Sequence, residues 1–251
     1  MRKIHIGCGP YPPSRKRYQQ RFRCVEVSDT YFGPIRPATL KGWRDEADEG
    51  FSFVLGAYGF CSFDPLDHKG EFPSDHPVRD FGLLQPTEAN RLVWADTHEQ
   101  ALALGAKLVL LKTPPAFSPS QRNRDNLAAF VRDIVGEAPY RLVWEGRGIW
   151  QDDEKAALAA EHGMLVVQDP WGESQFPPVP EGDAYYAVTA PWGRTFFSND
   201  DYFEFTDFLA EHPGDVYVVF RGPERERFAQ GLSKAIAQEL GPEAIGLKEM
   251  P

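Results

Sequence analysis

Three carboxylates fall inside or at the ends of short apolar runs. Glu26 sits in "CVEVS" (24–28), Glu145 in "RLVWEG" (141–146) and Asp169 closes "LVVQDP" (165–170). Strand side chains alternate between faces, so Glu26 shares a face with Cys24 and Ser28, opposite Val25 and Val27. Glu145 likewise shares a face with Val143, opposite Leu142 and Trp144. An ionised carboxylate in a core costs on the order of several kcal/mol unless it is paired, so such residues call for a reason.

Three chemistries fit. Glu26, Glu145 and Asp169, with His5, have the hard ligand types that hold a divalent metal, the one cofactor these residues suggest. The two glutamates could instead act as acid and base, or as nucleophile, at a glycosidic bond. Alternatively Lys112, Arg147 and Arg194 bind an anionic ligand and the acids only orient them. Asp29, two residues past "CVEV", joins the candidates. Tyr31, Tyr58, Trp150, Trp171 and Trp192 stand at or just after strand ends, where flat faces can stack on a sugar or a base. The plainer alternatives are a glutamate that pairs with Arg147 or Lys112, and aromatics that only cover the core.

Other residues carry less. The opening "HIGCGP" lacks the spacing of a dinucleotide-binding turn. Cys8 has no identifiable histidine partner, and a buried inert thiol accounts for it. His68 and His76, with Asp67 and Asp75, match no ligand spacing. His98, His162 and His212 read as surface residues at helix ends.

These residues must be positioned by eight strand-length runs: 3–7, 24–28, 52–59, 107–113, 141–146, 165–170, 184–189 and 215–220. Between several of them lie stretches with helical spacing and end signals: 37–48, 87–104, 120–135, 152–162, 199–210 and 223–240. Thr87 is a helix N-cap and Gly105 follows the end of the same helix. Strands alternating with helices predict a parallel sheet, and eight units predict a closed (β/α)₈ TIM-like barrel over residues 1–251 as a single domain. An open doubly wound sheet is the runner-up. The proline-rich link "WGESQFPPVPEGD" predicts no regular helix, and 60–86 is a long insertion of the kind that serves as a lid or binding loop.

The chain of 251 residues carries 37 acidic and 27 basic side chains, a net charge of −10, which argues against nucleic acid as the main partner. Three cysteines without paired spacing exclude a disulfide framework. No signal region and no long apolar run is present, so the expectation is a cytoplasmic protein without a membrane partner.

"VEVSDTYF", then "PATLKGW", "FSFVLGAYG", "LVLLKTPPAF" and "RLVWEGRGIW" come in the order of segments that define the YecE-like family, domain of unknown function seventy-two. The sequence resembles that family over residues 1 to about 220. The resemblance implies a TIM-like barrel with a pocket, and carries over Glu26, Thr30, Tyr31, Pro114, Pro115, Glu145, Arg147 and Trp150. It implies no particular reaction. The chain departs from the family where "IGCGPY" replaces a G-T-S-G-W opening, where Asp29 replaces a small residue, where Lys112 replaces a glutamine, and where "TAPWGR" replaces a histidine-glycine pair. Together these readings point to a hydrolase-type enzyme acting on a phosphorylated or sugar-containing small molecule or a nucleotide at the C-terminal end of the barrel. A non-catalytic binding protein for an anionic ligand is the alternative.

Overall fold

The computed structural model describes residues 2–64, 72–171, 176–189 and 197–246. Its strands are β1 (Ile4–Gly9), β2 (Cys24–Val27), β3 (Ser52–Gly56), β4 (Leu108–Thr113), β5 (Arg141–Gly146), β6 (Leu165–Gln168), β7 (Ala184–Thr189) and β8 (Val216–Arg221). They join in chain order into a closed parallel barrel. The helices are α1 (Arg15–Arg21), α2 (Pro37–Glu46), α3 (Glu88–Leu104), α4 (Gln121–Ala129, continued by a π-helical turn), α5 (Asp152–Glu161), α6 (Asn199–Ala210) and α7 (Arg225–Glu239). No described helix is long and apolar enough to cross a membrane.

All eight expected strands form. So do the helix ends that capping chemistry marks. Thr87 accepts a hydrogen bond from the Asn90 amide, and Gly105 takes the left-handed conformation (φ 60°) that a side chain would oppose. The link before β7 holds no helix over its described residues 176–183. Helix α1 is an addition to the expected set. Its seven residues are too few to display a period, and only Tyr18 and Gln19 are buried.

Packing divides the chain into two compact units. The first comprises Met1–Val27, Glu46–Phe53 and Val167–Pro251. In it β1 pairs with β8 from Ile4↔Val216 to Gly9↔Arg221, and with β2 at Gly7↔Cys24 and Cys8↔Val25. The buried Tyr18 hydroxyl fastens α1 to both strands, accepting from the Cys8 amide at 2.6 Å and donating to the Cys24 carbonyl at 2.7 Å.

The second unit comprises Ser28–Asp45 and Val54–Val166. Its spine is the ladder of β4 and β5, in register from Leu108↔Arg141 to Thr113↔Gly146. The described part of the long insertion is packed against α3. There Asn90 holds both backbone groups of Gly82 and the Gln85 carbonyl, while Phe81 and Leu84 are buried. Residues 65–71 of that insertion, including Asp67 and His68, lie outside the described residues.

Candidate functional site

In the second unit the chemistry-bearing residues gather at the C-terminal ends of β4 and β5. The ladder sets Lys112 directly beside Glu145. Lys112 Nζ lies 3.8 Å from Glu145 Oε2, and Arg147 Nη2 lies 3.4 Å from Oε1. Both contacts exceed the roughly 2.7–2.9 Å of a tight charge-assisted hydrogen bond. Lys112 and Glu145 side chains are 16% and 14% exposed, whereas Arg147 is 61% exposed. Lys112 also stands over the Tyr31 ring, 5.7 Å from its centroid, within cation–π range. Burial pushes the Tyr31 phenol up to about 12, with Glu145 adding to the rise and Arg147 opposing it, so Tyr31 stays a neutral donor.

The Arg147 segment is fixed from beneath. Gly148 has φ +95°, and a Cβ there would lie 3.0 Å from the Pro115 carbonyl oxygen, so only glycine fits without strain. Trp150 is buried, donating from its indole nitrogen to the Phe117 carbonyl and meeting Trp144 edge-on at 5.1 Å. It is a packing residue under the loop, and Arg124 lies over its ring at 5.0 Å. Thr30, the residue before Tyr31, is tied to β3 by donating to the Gly56 carbonyl at 2.6 Å.

In the first unit Glu26 is only 1% exposed. Its Oε2 accepts from Arg221 Nη2 at 2.7 Å, from Arg221 Nε at 3.1 Å and from the Tyr185 hydroxyl at 2.9 Å. Those partners stand two and three strands away in sheet order, a reach that only the barrel's interior face allows. The cation that meets Glu26 is therefore Arg221, whereas Lys112 and Arg147 pair with Glu145. Burial and the charge of Glu26 hold the Tyr185 phenol well above its ordinary range, which keeps it the donor. Gly9, beside Arg221 in the β1–β8 register, makes the meeting possible: a Cβ there would come within 3.0 Å of Glu26 Cβ and 3.3 Å of Oε1. Sequence reasoning missed Arg221 and Tyr185. The available signal was an arginine closing "VYVVFR", one place beyond the penultimate position that Lys112 and Glu145 hold on their strands.

Other expected site residues go elsewhere. His5 stands four positions before Gly9 on β1, roughly 13 Å along a strand. It stacks on Tyr217 at 4.5 Å, with Nδ1 3.3 Å from Ser52 Oγ and Nε2 3.6 Å from Asp215. It thus belongs to a polar cluster at the opposite end of β1 from Glu26. Asp169 is exposed, and its carboxylate accepts the Trp171 amide at 3.0 Å, a local turn. Partial burial raises its pKa and that amide lowers it. Asp29 is exposed and opens a 3₁₀ turn, and Tyr58 is buried against Phe60. Trp192 and Arg194 lie outside the described residues. Among the described residues no three His, Cys, Asp or Glu side chains gather as a metal-ligand set. His212 corrects a surface reading. It is fully buried at the end of α6, with Nε2 2.7 Å from the Tyr186 hydroxyl and Nδ1 3.1 Å from the Phe208 carbonyl.

A parallel eight-stranded barrel with paired charges at its strand ends is the class that fold and site define. A match to the family described as "Protein of unknown function DUF72" spans residues 11–249, and the chain belongs to that family. Two crystal structures of a DUF72 family protein from Enterococcus faecalis V583 are similar to it at 14% identity. One match covers 94% of this chain and 98% of that one with a TM-score of 0.64; the other covers 93% and 95% with 0.65. A D-tagatose 3-epimerase-like protein is similar at 12% identity over 97% of this chain and 100% of its own, with a TM-score of 0.54. At these identities the likeness is one of fold. No curated protein matches the chain.

Proposed function

We propose that the protein is a hydrolase-type enzyme acting on a phosphorylated or sugar-containing small molecule at the C-terminal ends of β4 and β5. The observation that carries this reading is the Lys112–Glu145–Arg147 cluster, in which one carboxylate has a cation 3.8 Å from one oxygen and another 3.4 Å from the other. Such loose pairs are poised for exchange. An anionic group of the ligand takes Lys112 and Arg147, and Glu145, relieved of both, serves as the proton-transferring group. Tyr31, held neutral, donates a hydrogen bond.

Glu145 bridging both cations also suits a second reading, a non-catalytic binder of anions in which the carboxylate only orients its neighbours. Turnover on a panel of p-nitrophenyl phosphate and p-nitrophenyl glycosides, read beside calorimetric binding of the same anions, separates the two. The enzyme reading expects Glu145→Gln to lower kcat by about 10²–10⁴-fold while ligand still binds, and Arg147→Ala to weaken binding. Binding without turnover across the panel would leave the second reading. Neither binding nor turnover would remove the site from consideration.

A further inference from the structure

The five most exposed large apolar side chains among the described residues include two that adjoin residues of this one cluster along the chain. Phe32 is 83% exposed and Ile149 is 71% exposed, the two highest of the five. Phe32 follows Tyr31 directly, its ring 5.3 Å from the Tyr31 ring and perpendicular to it. Ile149 is two residues past Arg147, on the segment that Gly148 seats against Pro115. On its other side Tyr31 is backed by Phe63 at 5.2 Å. Large exposed apolar groups carry information when they cluster and adjoin polar function. Here Tyr31 joins Phe32 to the charges, since its ring lies under Lys112 and its hydroxyl feels both Arg147 and Glu145, while Ile149 is joined to them through the Arg147 segment.

From this juxtaposition we infer that the ligand combines an anionic group with a flat apolar ring, as a nucleoside monophosphate or an aryl phosphate does, and that Phe32 and Ile149 hold the ring. The inference rests on the proposed reading of the Lys112–Glu145–Arg147 cluster as an anion site and narrows its ligand class. A ring-free sugar-like or glycerol-like anion engages the cations but leaves Phe32 and Ile149 in water. A ring-bearing anion engages both, and stacking on a protein aromatic strengthens binding well beyond the anion contact alone.

The test is titration calorimetry of the full chain with three probes: AMP, phenyl phosphate and sn-glycerol 3-phosphate. AMP or phenyl phosphate should bind at least about tenfold tighter than glycerol 3-phosphate, and the two ring probes show whether a nucleobase or a simple aryl ring is preferred. The double substitution Phe32→Ala, Ile149→Ser should abolish that margin and leave glycerol 3-phosphate affinity unchanged. Arg147→Ala should weaken all three. Equal binding of ringed and ring-free probes would overturn the inference and leave the anion site standing. So would a margin that survives the double substitution. Binding of no probe would overturn both together. A concentration-dependent dimer in sedimentation that Phe32→Ala dissolves, with no ring preference, would assign the apolar pair to a second copy instead.

Discussion

Arg221 donates from both Nε and Nη2 to a single carboxylate oxygen of Glu26, at 3.1 and 2.7 Å, although the residues are 195 positions apart in the chain. They come from β8 and β2, with β1 between them. The intervening position at that level is Gly9, and its lack of a side chain is what lets the two meet. Burying this pair is costly, and the Tyr185 hydroxyl helps to offset the cost as a third donor.

Glu26→Ala should therefore destabilise the fold by about 3–5 kcal/mol, because it strands a mostly buried guanidinium. Combining it with Arg221→Met should recover much of the loss, since the stranded charge rather than the missing pair carries the penalty. Urea midpoints of the two single variants and the double variant measure this. Additive losses would show that the pair is not the cause. Gly9→Ala should cost about 1–3 kcal/mol by crowding Glu26, which its donors leave little room to yield.

Gly148→Ala tests the platform under Arg147. Its φ of +95° and the 3.0 Å approach to Pro115 make any side chain strained. A cost of about 1–3 kcal/mol is expected, together with weaker binding of the anionic probes. Unchanged binding at reduced stability would show that Arg147 does not depend on this seat.

Stability should fall on the acid side through His212. Burial lowers its folded pKa beneath the usual 6.5, so the unfolded chain takes up a proton that the native histidine refuses. Stability is then full above about pH 6.5, declines as pH drops below that value, and levels off under the folded pKa. His212→Gln should flatten the slope between pH 7 and pH 5 in urea titrations. An unaltered slope would place the acid sensitivity on other groups.

The three cysteines, Cys8, Cys24 and Cys61, are all buried and outside any disulfide, and burial pushes the Cys8 thiol up to about 12. Thiolate is the reactive form. Ellman's reagent should find no fast thiol in the native protein at pH 8 and all three after unfolding. A rapid native equivalent would mean that the strand ends open readily.

The barrel was readable because each strand is a short apolar run set off by turns, and because Thr87 and Gly105 mark the two ends of one helix by type alone. Ser198 and Asp201 complete a reciprocal cap at 3.1 and 2.7 Å. Lys112 and Glu145 hold the same position on two neighbouring strands, but alternation alone left open which face Lys112 takes. What sequence hid was pairing across the interior. Period-2 alternation says that Glu26 faces inward, but not that its partner is Arg221 rather than Lys112. That choice depends on a gap at Gly9 and on register between distant segments. His5 carried a metal-ligand chemistry by type, yet its position at the start of β1 assigns it to Ser52 and Asp215.

The β1–β8 ladder also bears on the order of assembly. The second unit lies wholly within residues 28–166, whereas the first needs Val167–Pro251 to return to Met1–Val27. A chain emerging from the ribosome completes β4 and β5 before Tyr185 and Arg221 exist, so Glu26 waits for these partners until β7 and β8 follow. Distant closures come late because chain entropy opposes them until the ends can pair. We predict that pulse-labelled hydrogen exchange during refolding finds Leu108–Thr113 protected before Ile4–Gly9. Protection of β1 first would sink that order. The same late closure means that a chain stopped short of β8 has every helix of the second unit but lacks the arginine that meets Glu26 in the first.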